Sequence, residues 1–518
     1  MSLNNETKLA STVPYEYGKY FFEYSLTTPK LHSIYTSRIY YKLVMIEEII
    51  KLFKRKRGHT LMEEANVKAA KQNQKQTNSS LYKTVWRWHL YAGIIFAPFL
   101  FILAVTGSIY LFKPQIEQMI YQDYYEVTPQ HEKISASAQI EEVKNIYPDA
   151  IINKYRPGEN TMRSSEVSIT ANNESLTIFI DPYTGEFVGE QNSKDNIMNK
   201  IEELHGELMA GTLGDRIVEL AACWAIVQIV TGLYLWFPKK NQRLSGFLYP
   251  RFNKGKKILR RDLHAVPAFW ITAGMLFLIM TGLPWSGFWG SNFQSIATNS
   301  SAGYPPSIWS GDAPTSTIKT KDIAEVPWAA ENLDVPLSKI QGYIPLPIDD
   351  VVAIANREGL HPSYTVSIPQ VTDGVYTLSA YPPKAQDEVT MHIDQYSGAV
   401  LADYRYQNYG LVGKSVAWGI TLHKGTQFGL INQLVSLLIC LGIILVTVSG
   451  FYLWWKRKPK KGSGAPKAPS IKKMKFFLVL LIGLGILFPL VGLSLIVVWL
   501  IDWLIIQRIA VVKNFFNA

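Results

Sequence analysis

Four apolar runs dominate this chain: Leu90–Phe112, Ile217–Phe237, Ala265–Leu283 and Ile431–Trp455. A helix needs about 20 apolar residues to cross the hydrocarbon core of a bilayer, so each run is long enough to be a span. Pro267 falls in the expected first turn of the third run, where proline is tolerated. Trp and Tyr gather at the run ends (Trp86, Trp88, Tyr234, Trp236, Trp285, Trp454), as at membrane–water interfaces.

The segments between the runs alternate in charge. Pro238–Arg261 carries nine Lys/Arg and no acid, and so does Lys456–Lys475. Lys113–Asp215 and Trp285–Leu430 each carry eight Lys/Arg, against 18 and 13 acids. The net charge of +11 is therefore a topology signal, the positive-inside pattern of a multi-span protein, and not a nucleic-acid footprint. Aromatic residues at 13% exclude global disorder. Two cysteines, Cys223 and Cys440, both inside apolar runs, exclude a disulfide scaffold.

The expected organisation follows. Residues 1–85, 238–264 and 456–475 face the cytoplasm. Spans cover 86–112, 217–237, 265–285 and 431–455. Residues 113–216 and 286–430 form two outer domains. A C-terminal hydrophobic segment, 476–508, has Pro489 in its middle, and is either one kinked span or a tight hairpin. Residues 1–61 are read either as a mis-called start or as a cytoplasmic arm with a short basic amphipathic helix, Ile46–Arg57, lying on the membrane.

The chain also repeats itself. His89 precedes Thr106-Gly107 by 17 residues, and His264 precedes Thr281-Gly282 by the same 17. His205 precedes Thr231-Gly232 by 26, and His423 precedes Ser449-Gly450 by the same 26. Gly-Leu-Tyr-Leu-Trp at 232–236 matches Gly-Phe-Tyr-Leu-Trp at 450–454. Ile-Asp-Pro-Tyr-Thr-Gly at 180–185 parallels Ile-Asp-Gln-Tyr-Ser-Gly at 393–398. The fold class expected is a mainly α membrane protein: a four-helix transmembrane bundle built from a tandem repeat, with a C-terminal hydrophobic segment and two outer α+β domains.

The repeat makes the histidines informative. His89 and His264 stand at the cytoplasmic starts of spans 1 and 3, and His205 and His423 just before spans 2 and 4 on the outer side. One imidazole from either side of an iron is what bis-histidine haem requires. Zinc or copper asks for three or four ligands; Glu203 and Glu207 flank His205, but no extra ligand stands at the repeated positions. Haem is the favoured reading and a mononuclear metal the minority one. Gly107, Gly232, Gly282 and Gly450 would let a flat ring approach the helices, though generic helix packing uses the same small residues. Arg87, Arg260 and Arg261 flank the inner histidines and suit either haem propionates or ordinary topology. His131, His361 and His392 do not repeat and read as surface or strand histidines.

Each outer segment reads as a helix followed by strands: Ser137–Ile146 then Ser165–Thr170 and Leu176–Ile180, and Ile348–Glu358 then Tyr364–Ile368, Val375–Ala380 and Val389–Ile393. This pattern, ending in Ile-Asp-x-Tyr-[Ser/Thr]-Gly, resembles the PepSY module. The spans with Trp88-His89, Leu204-His205, Leu263-His264 and Leu422-His423 resemble the PepSY-associated transmembrane family, over roughly 80–508. The resemblance implies a di-haem ferric-siderophore reductase of the bacterial cytoplasmic membrane, multi-pass, with a cytoplasmic N-terminus. It implies two b-type haems, with His89, His264, His205 and His423 as axial iron ligands.

No G-x-G-x-x-G at a strand–helix junction and no P-loop appears in the sequence. Electrons are therefore expected from a separate donor, a quinol or a flavin protein, and a ferric chelate is expected at the outer face, with membrane lipid around the spans. Two alternatives stand beside this reading. One is a non-enzymatic PepSY module binding an envelope peptide or protease; the other is an iron-chelate transporter, weakened by the lack of polar residues in the core of the spans.

Overall fold

The computed structural model describes residues 81–237, 246–298, 315–338, 344–460, 462–467 and 475–516, together with Val44, Met45, Glu48 and Lys51. The chain divides into two units, Met1–Ser79 and Ser80–Ala518. In the first, those four residues are helical; otherwise the readings for residues 1–61 and for Ile46–Arg57 lie outside the described residues.

Among the described residues, five helical segments are long and apolar enough to cross a membrane: Leu81–Tyr110, Gly211–Trp236, Lys256–Trp285, Leu430–Arg457 and Pro489–Ile506. We label the first α1. Then come α2 (Lys113–Ile120), α3 (Gln122–Tyr125) and α4 (Ala136–Ile146). Strands β1 (Ile151–Arg156), β2 (Ser165–Ala171), β3 (Glu174–Ile180) and β4 (Phe187–Asn192) lead to α5 (Ile197–Glu207) and α6 (Gly211–Trp236). The second copy has α7 (Lys256–Gly282), α8 (Trp289–Thr298), β5 (Thr315–Lys319), β6 (Asp334–Pro336) and α9 (Ile348–Arg357). It continues with β7 (Thr365–Ser367), β8 (Val375–Ala380), β9 (Val389–Asp394), β10 (Val400–Arg405), α10 (Leu411–His423) and α11 (Leu430–Arg457). The C-terminal part holds α12 (Lys475–Leu487), α13 (Pro489–Ile501) and α14 (Ala510–Phe516).

The long helices pack through small and apolar side chains. Ala92 and Phe96 of α1 meet Trp224 and Val227 of α6, and Ala104 of α1 meets Cys440 and Ile443 of α11. Helix α7 lies against both α6 and α11; Ile439 fills the space over Gly274, 2.5 Å from where a Cβ would stand. Other apolar side chains of α1 and α11, such as Phe101, Leu438 and Leu445, are exposed, and this is the surface that lipid covers. Helix α7 begins nine residues before the apolar run, at Lys256, so Pro267 lies inside it rather than in its first turn. Its missing N–H leaves the carbonyl of Leu263 without a helical partner.

The C-terminal segment is a hairpin. Helices α12 and α13 break at Phe488 and fold back on each other. A Cβ on Gly485 would stand 2.9 Å from the Cα of Gly492, and Leu481 packs with Leu495. Residues seven and fourteen apart in one continuous helix stand far apart along its axis, so only a reversal brings these pairs together. The hairpin leans on α1 and α6, where Trp224 Nε1 donates to Ser494 Oγ at 3.0 Å.

The segments 113–216 and 286–430 do not form separate domains. They share one antiparallel sheet, in the order β10-β9-β8-β7-β1-β2-β3-β4, joined where β1 pairs with β7. One face is apolar: Val167, Ile178, Val366, Leu378, Met391 and Ile393 pack beneath Ile140 and Val143 of α4 and Val351 and Ile354 of α9. The other face is polar. One ladder row across all eight strands reads Gln191, Thr177, Ser168, Lys154, Ser367, Thr377, His392 and Ala402. The repeated Ile-Asp-x-Tyr-[Ser/Thr]-Gly element is an Asx turn in both copies. Asp181 Oδ1 accepts from the Tyr183 N–H at 2.8 Å and Asp394 Oδ1 from the Tyr396 N–H at 3.0 Å. Gly185 and Gly398 take the left-handed φ of +78° and +70° that closes the turn.

Candidate functional site

The four repeated histidines occupy equivalent places. His89 and His264 lie on α1 and α7, toward the end of the long helices that bears the basic segments. His205 and His423 lie not on spans but on α5 and α10, the short helices that precede α6 and α11 at the end bearing the sheet. A sharp reversal follows each. Leu208, Met209 and Gly211 all have positive φ after α5, and Gly425 and Gly429 do so after α10. Those bends return the chain so that each short helix lies beside the membrane helices.

Each histidine ring rests on one of the four predicted glycines. A Cβ on Gly232 would stand 3.1 Å from His89 Cε1, one on Gly450 2.9 Å from His264 Cε1, one on Gly107 3.3 Å from His205 Cε1, and one on Gly282 3.2 Å from His423 Cε1. The pairing runs within each copy, and each copy supplies one histidine to each end. Across the copies, His205 and His423 have ring centres 6.4 Å apart with planes at 70°. His89 and His264 lie within electrostatic reach of each other.

The residue before each glycine has a role that the sequence reading missed. His89 Nδ1 meets Thr231 Oγ1 at 2.9 Å, His205 Nδ1 meets Thr106 Oγ1 at 2.8 Å, and His423 Nδ1 meets Thr281 Oγ1 at 3.0 Å. Each threonine hydroxyl already donates its single proton to the carbonyl four residues back: Thr231 to Val227, Thr106 to Ile102, Thr281 to Phe277, at 2.7–2.8 Å. With that proton on the carbonyl, the threonine oxygen is the acceptor and the imidazole Nδ1–H the donor. In the fourth place Ser449 Oγ is 3.4 Å from His264 Nδ1, and the Val446 carbonyl, which can only accept, is at 3.0 Å. All four rings are fixed in the same tautomer, with Nε2 unprotonated and its lone pair available for a metal. The signal was in the sequence: a hydroxyl residue stands at the same offset from each histidine.

Burial lowers the pKa of His205, and lowers that of His423 to about 4 with a contribution from His205. Both rings are therefore neutral near pH 7, the form a metal requires. Among the described residues no group of three or more His, Cys, Asp or Glu side chains is placed to hold a metal ion. The arginines near His89 and His264 have local partners. Arg87 donates to the Pro466 carbonyl at 2.8 Å, and Arg261 pairs with buried Asp262 at 3.1 Å, beside the bidentate Arg251–Asp262 pair. Arg260 stands over the Tyr452 ring at 5.8 Å. Glu219, buried in α6, accepts the N–H groups of Phe288 and Trp289, so it caps the turn into α8.

The histidines that do not repeat lie elsewhere. His392 is a fully buried strand residue, its Nδ1 2.9 Å from Thr377 Oγ1 and its Nε2 without a partner among the described residues. His361 bonds Ser363 in a turn, and His131 is exposed. Cys223 and Cys440 are buried free thiols.

In comparison with known protein families, the model of the PepSY-associated TM region matches residues 86–457. That range contains both copies of the repeat and all four histidines, and leaves out the α12–α13 hairpin. No curated protein matches the chain.

Proposed function

The chain belongs to the PepSY-associated TM family, and from that membership we propose that it is a two-haem electron conduit. It would carry electrons from a cytoplasmic or quinol donor across the bacterial cytoplasmic membrane to a ferric chelate on the outer side. The observation that carries this reading is the fourfold arrangement of an imidazole with a fixed Nδ1–H, a free Nε2 and a glycine beneath the ring.

The residues fit the group. His89 with His264, and His205 with His423, would each hold one haem, and Gly232, Gly450, Gly107 and Gly282 leave the helix surfaces bare beside them. The 6.4 Å between the His205 and His423 ring centres is close to the roughly 6 Å that two imidazoles on one metal require, with bonds of about 2 Å. Haem supplies reversible one-electron chemistry at a potential set by its ligands and surroundings.

The protein's own groups do the rest. Thr231, Thr106, Thr281 and the Val446 carbonyl hold the ring tautomers, so no proton moves at the imidazoles. The apolar helices keep water from the pairs, which lowers the dielectric around them. The positive-inside pattern supports an orientation with the His89/His264 end at the cytoplasm and the sheet outside. Each ferric ion reduced takes one electron, supplied by a quinol or a reduced flavin partner.

The test is purification after expression with ample haem, followed by a pyridine-haemochrome assay and reduction of an added ferric chelate. Two haems per chain are expected, with His205→Ala or His423→Ala losing one haem and the outward reduction.

A further inference from the structure

The polar face of the sheet leads to a site that the histidine pairs do not use. A cleft of about 470 Å³ opens between Lys154, in the central strand β1, and residues 321–331, within the size range of small-molecule sites, about 300–1,000 Å³. Its charged lining is Lys154, Lys321, Asp322, Glu325 and Glu331, three acids to two lysines. Glu331 is engaged by Gln294 Nε2 at 2.6 Å. Glu325 is exposed, and it lies within electrostatic reach of Lys424, the residue after His423. It is likewise within reach of Tyr110, whose hydroxyl donates to Glu202 at 2.7 Å, one turn before His205. Trp328 and Ala329, in the same 321–331 segment, pack with Ala417 and Ile420 of α10, so the segment that walls the cleft rests on the helix that carries His423.

We propose that this cleft binds the electron acceptor, and that the acceptor is a neutral or cationic ferric chelate; the inference rests on the electron-conduit reading above. The charge follows from the lining and from the field around it. The two outer segments carry 18 and 13 acids against eight Lys/Arg each, and such an excess draws in cations and repels polyanions. Glu202 acts on Lys424 in the same sense as Glu325. A trianionic chelate would have to bring three negative charges against this surface.

Gallium(III) chelates test binding apart from reduction, because gallium has the charge of ferric iron but is not reduced under these conditions. The purified full-length chain in lipid nanodiscs is titrated with the gallium complexes of a cationic trihydroxamate and of a tris-catecholate of charge −3, by calorimetry. The cationic complex is expected to bind and the trianionic one to bind at least about ten-fold more weakly, a difference of about 1.4 kcal/mol. Glu325→Lys, at an exposed position, is expected to weaken the cationic complex by about ten-fold, and Lys154→Glu to strengthen it, with the haem spectrum unchanged in both. Equal affinity for the two chelates, or no response to Glu325→Lys, overturns the assignment. Glu325-dependent binding to a haem-free chain would uphold the cleft and remove the electron-conduit reading. A haem-replete chain without Glu325-dependent binding overturns the cleft alone.

Discussion

Gly450 and His264 make the closest of the four glycine–histidine contacts: a Cβ on Gly450 would lie 2.9 Å from His264 Cε1 and 3.2 Å from Nδ1. A carbon cannot settle there unless the ring moves, and the ring is tied to the same helix by the Val446 carbonyl, which accepts from Nδ1 at 3.0 Å. Gly450→Val is therefore expected to displace His264 and to cost the chain one of two haems, about half its haem absorbance per protein. Gly483, where a Cβ would meet no neighbouring atom within 4 Å, is the control; Gly483→Ala is expected to leave haem content unchanged.

Threonine is the second lever. Thr231→Val keeps the shape of the side chain and removes the oxygen that accepts from His89 Nδ1. A buried N–H left without an acceptor costs about 1–3 kcal/mol, and loss of such an outer partner typically weakens metal binding by about 10–100-fold. Haem titration of the apoprotein is expected to show that weakening for Thr231→Val, Thr106→Val and Thr281→Val. Ser449→Ala should do far less, because the Val446 carbonyl is already the nearer acceptor for His264. Equal losses at all four positions would contradict the tautomer argument.

Much of this was legible before the structure. Spans, repeat and the glycine–histidine match follow from periodic spacing, because a 17- or 26-residue offset repeated in two copies fixes which residues share a depth. The hydroxyl's role did not follow, because a small residue beside glycine is equally well read as helix packing. Strands β1, β4 and β10 were missed: Ile151–Arg156, Phe187–Asn192 and Val400–Arg405 are short and interrupted by charges, and pairing with neighbours is what makes them strands. The single sheet was beyond reach for the same reason, since the β1–β7 junction joins residues more than 200 positions apart. At Pro489 the sequence left kink and hairpin open, and the Gly485–Gly492 contact decides it.

That contact gives a further expectation. A side chain at Gly492 would meet the Gly485 backbone, with its Cβ 2.9 Å from the carbonyl oxygen. Gly492→Leu should splay α12 from α13, lower the melting temperature of the detergent-solubilised protein and leave both haems in place. The hairpin touches α1 and α6 through Val85, Ala92 and Trp224. Loss of haem with loss of stability would show that the hairpin also shapes a cofactor site.

Glu388 predicts a pH dependence. It is 3% exposed, its Oε1 has no hydrogen-bond partner among the described residues, and burial pushes its carboxyl up to about 8 against the opposing pull of Lys424. An unfolded glutamate titrates near 4.3, so from about that pH up to about 8 the folded chain holds a proton that the unfolded chain has released. The stability this group contributes is fully present below the unfolded value and is lost as pH rises through the folded one. Melting temperatures measured from pH 5 to pH 8.5 should fall for the parent chain, and should fall by a few degrees less for Glu388→Gln. Parallel curves would contradict the assignment.

The most direct measurement is haem stoichiometry with ligation state. A pyridine-haemochrome assay on the purified chain, paired with its low-temperature electron paramagnetic resonance spectrum, should give two b-type haems per chain, both low-spin with two histidine ligands. His89→Ala and His205→Ala should each remove one. Protein that folds, keeps its helical content and remains free of haem after expression with ample haem would contradict the account.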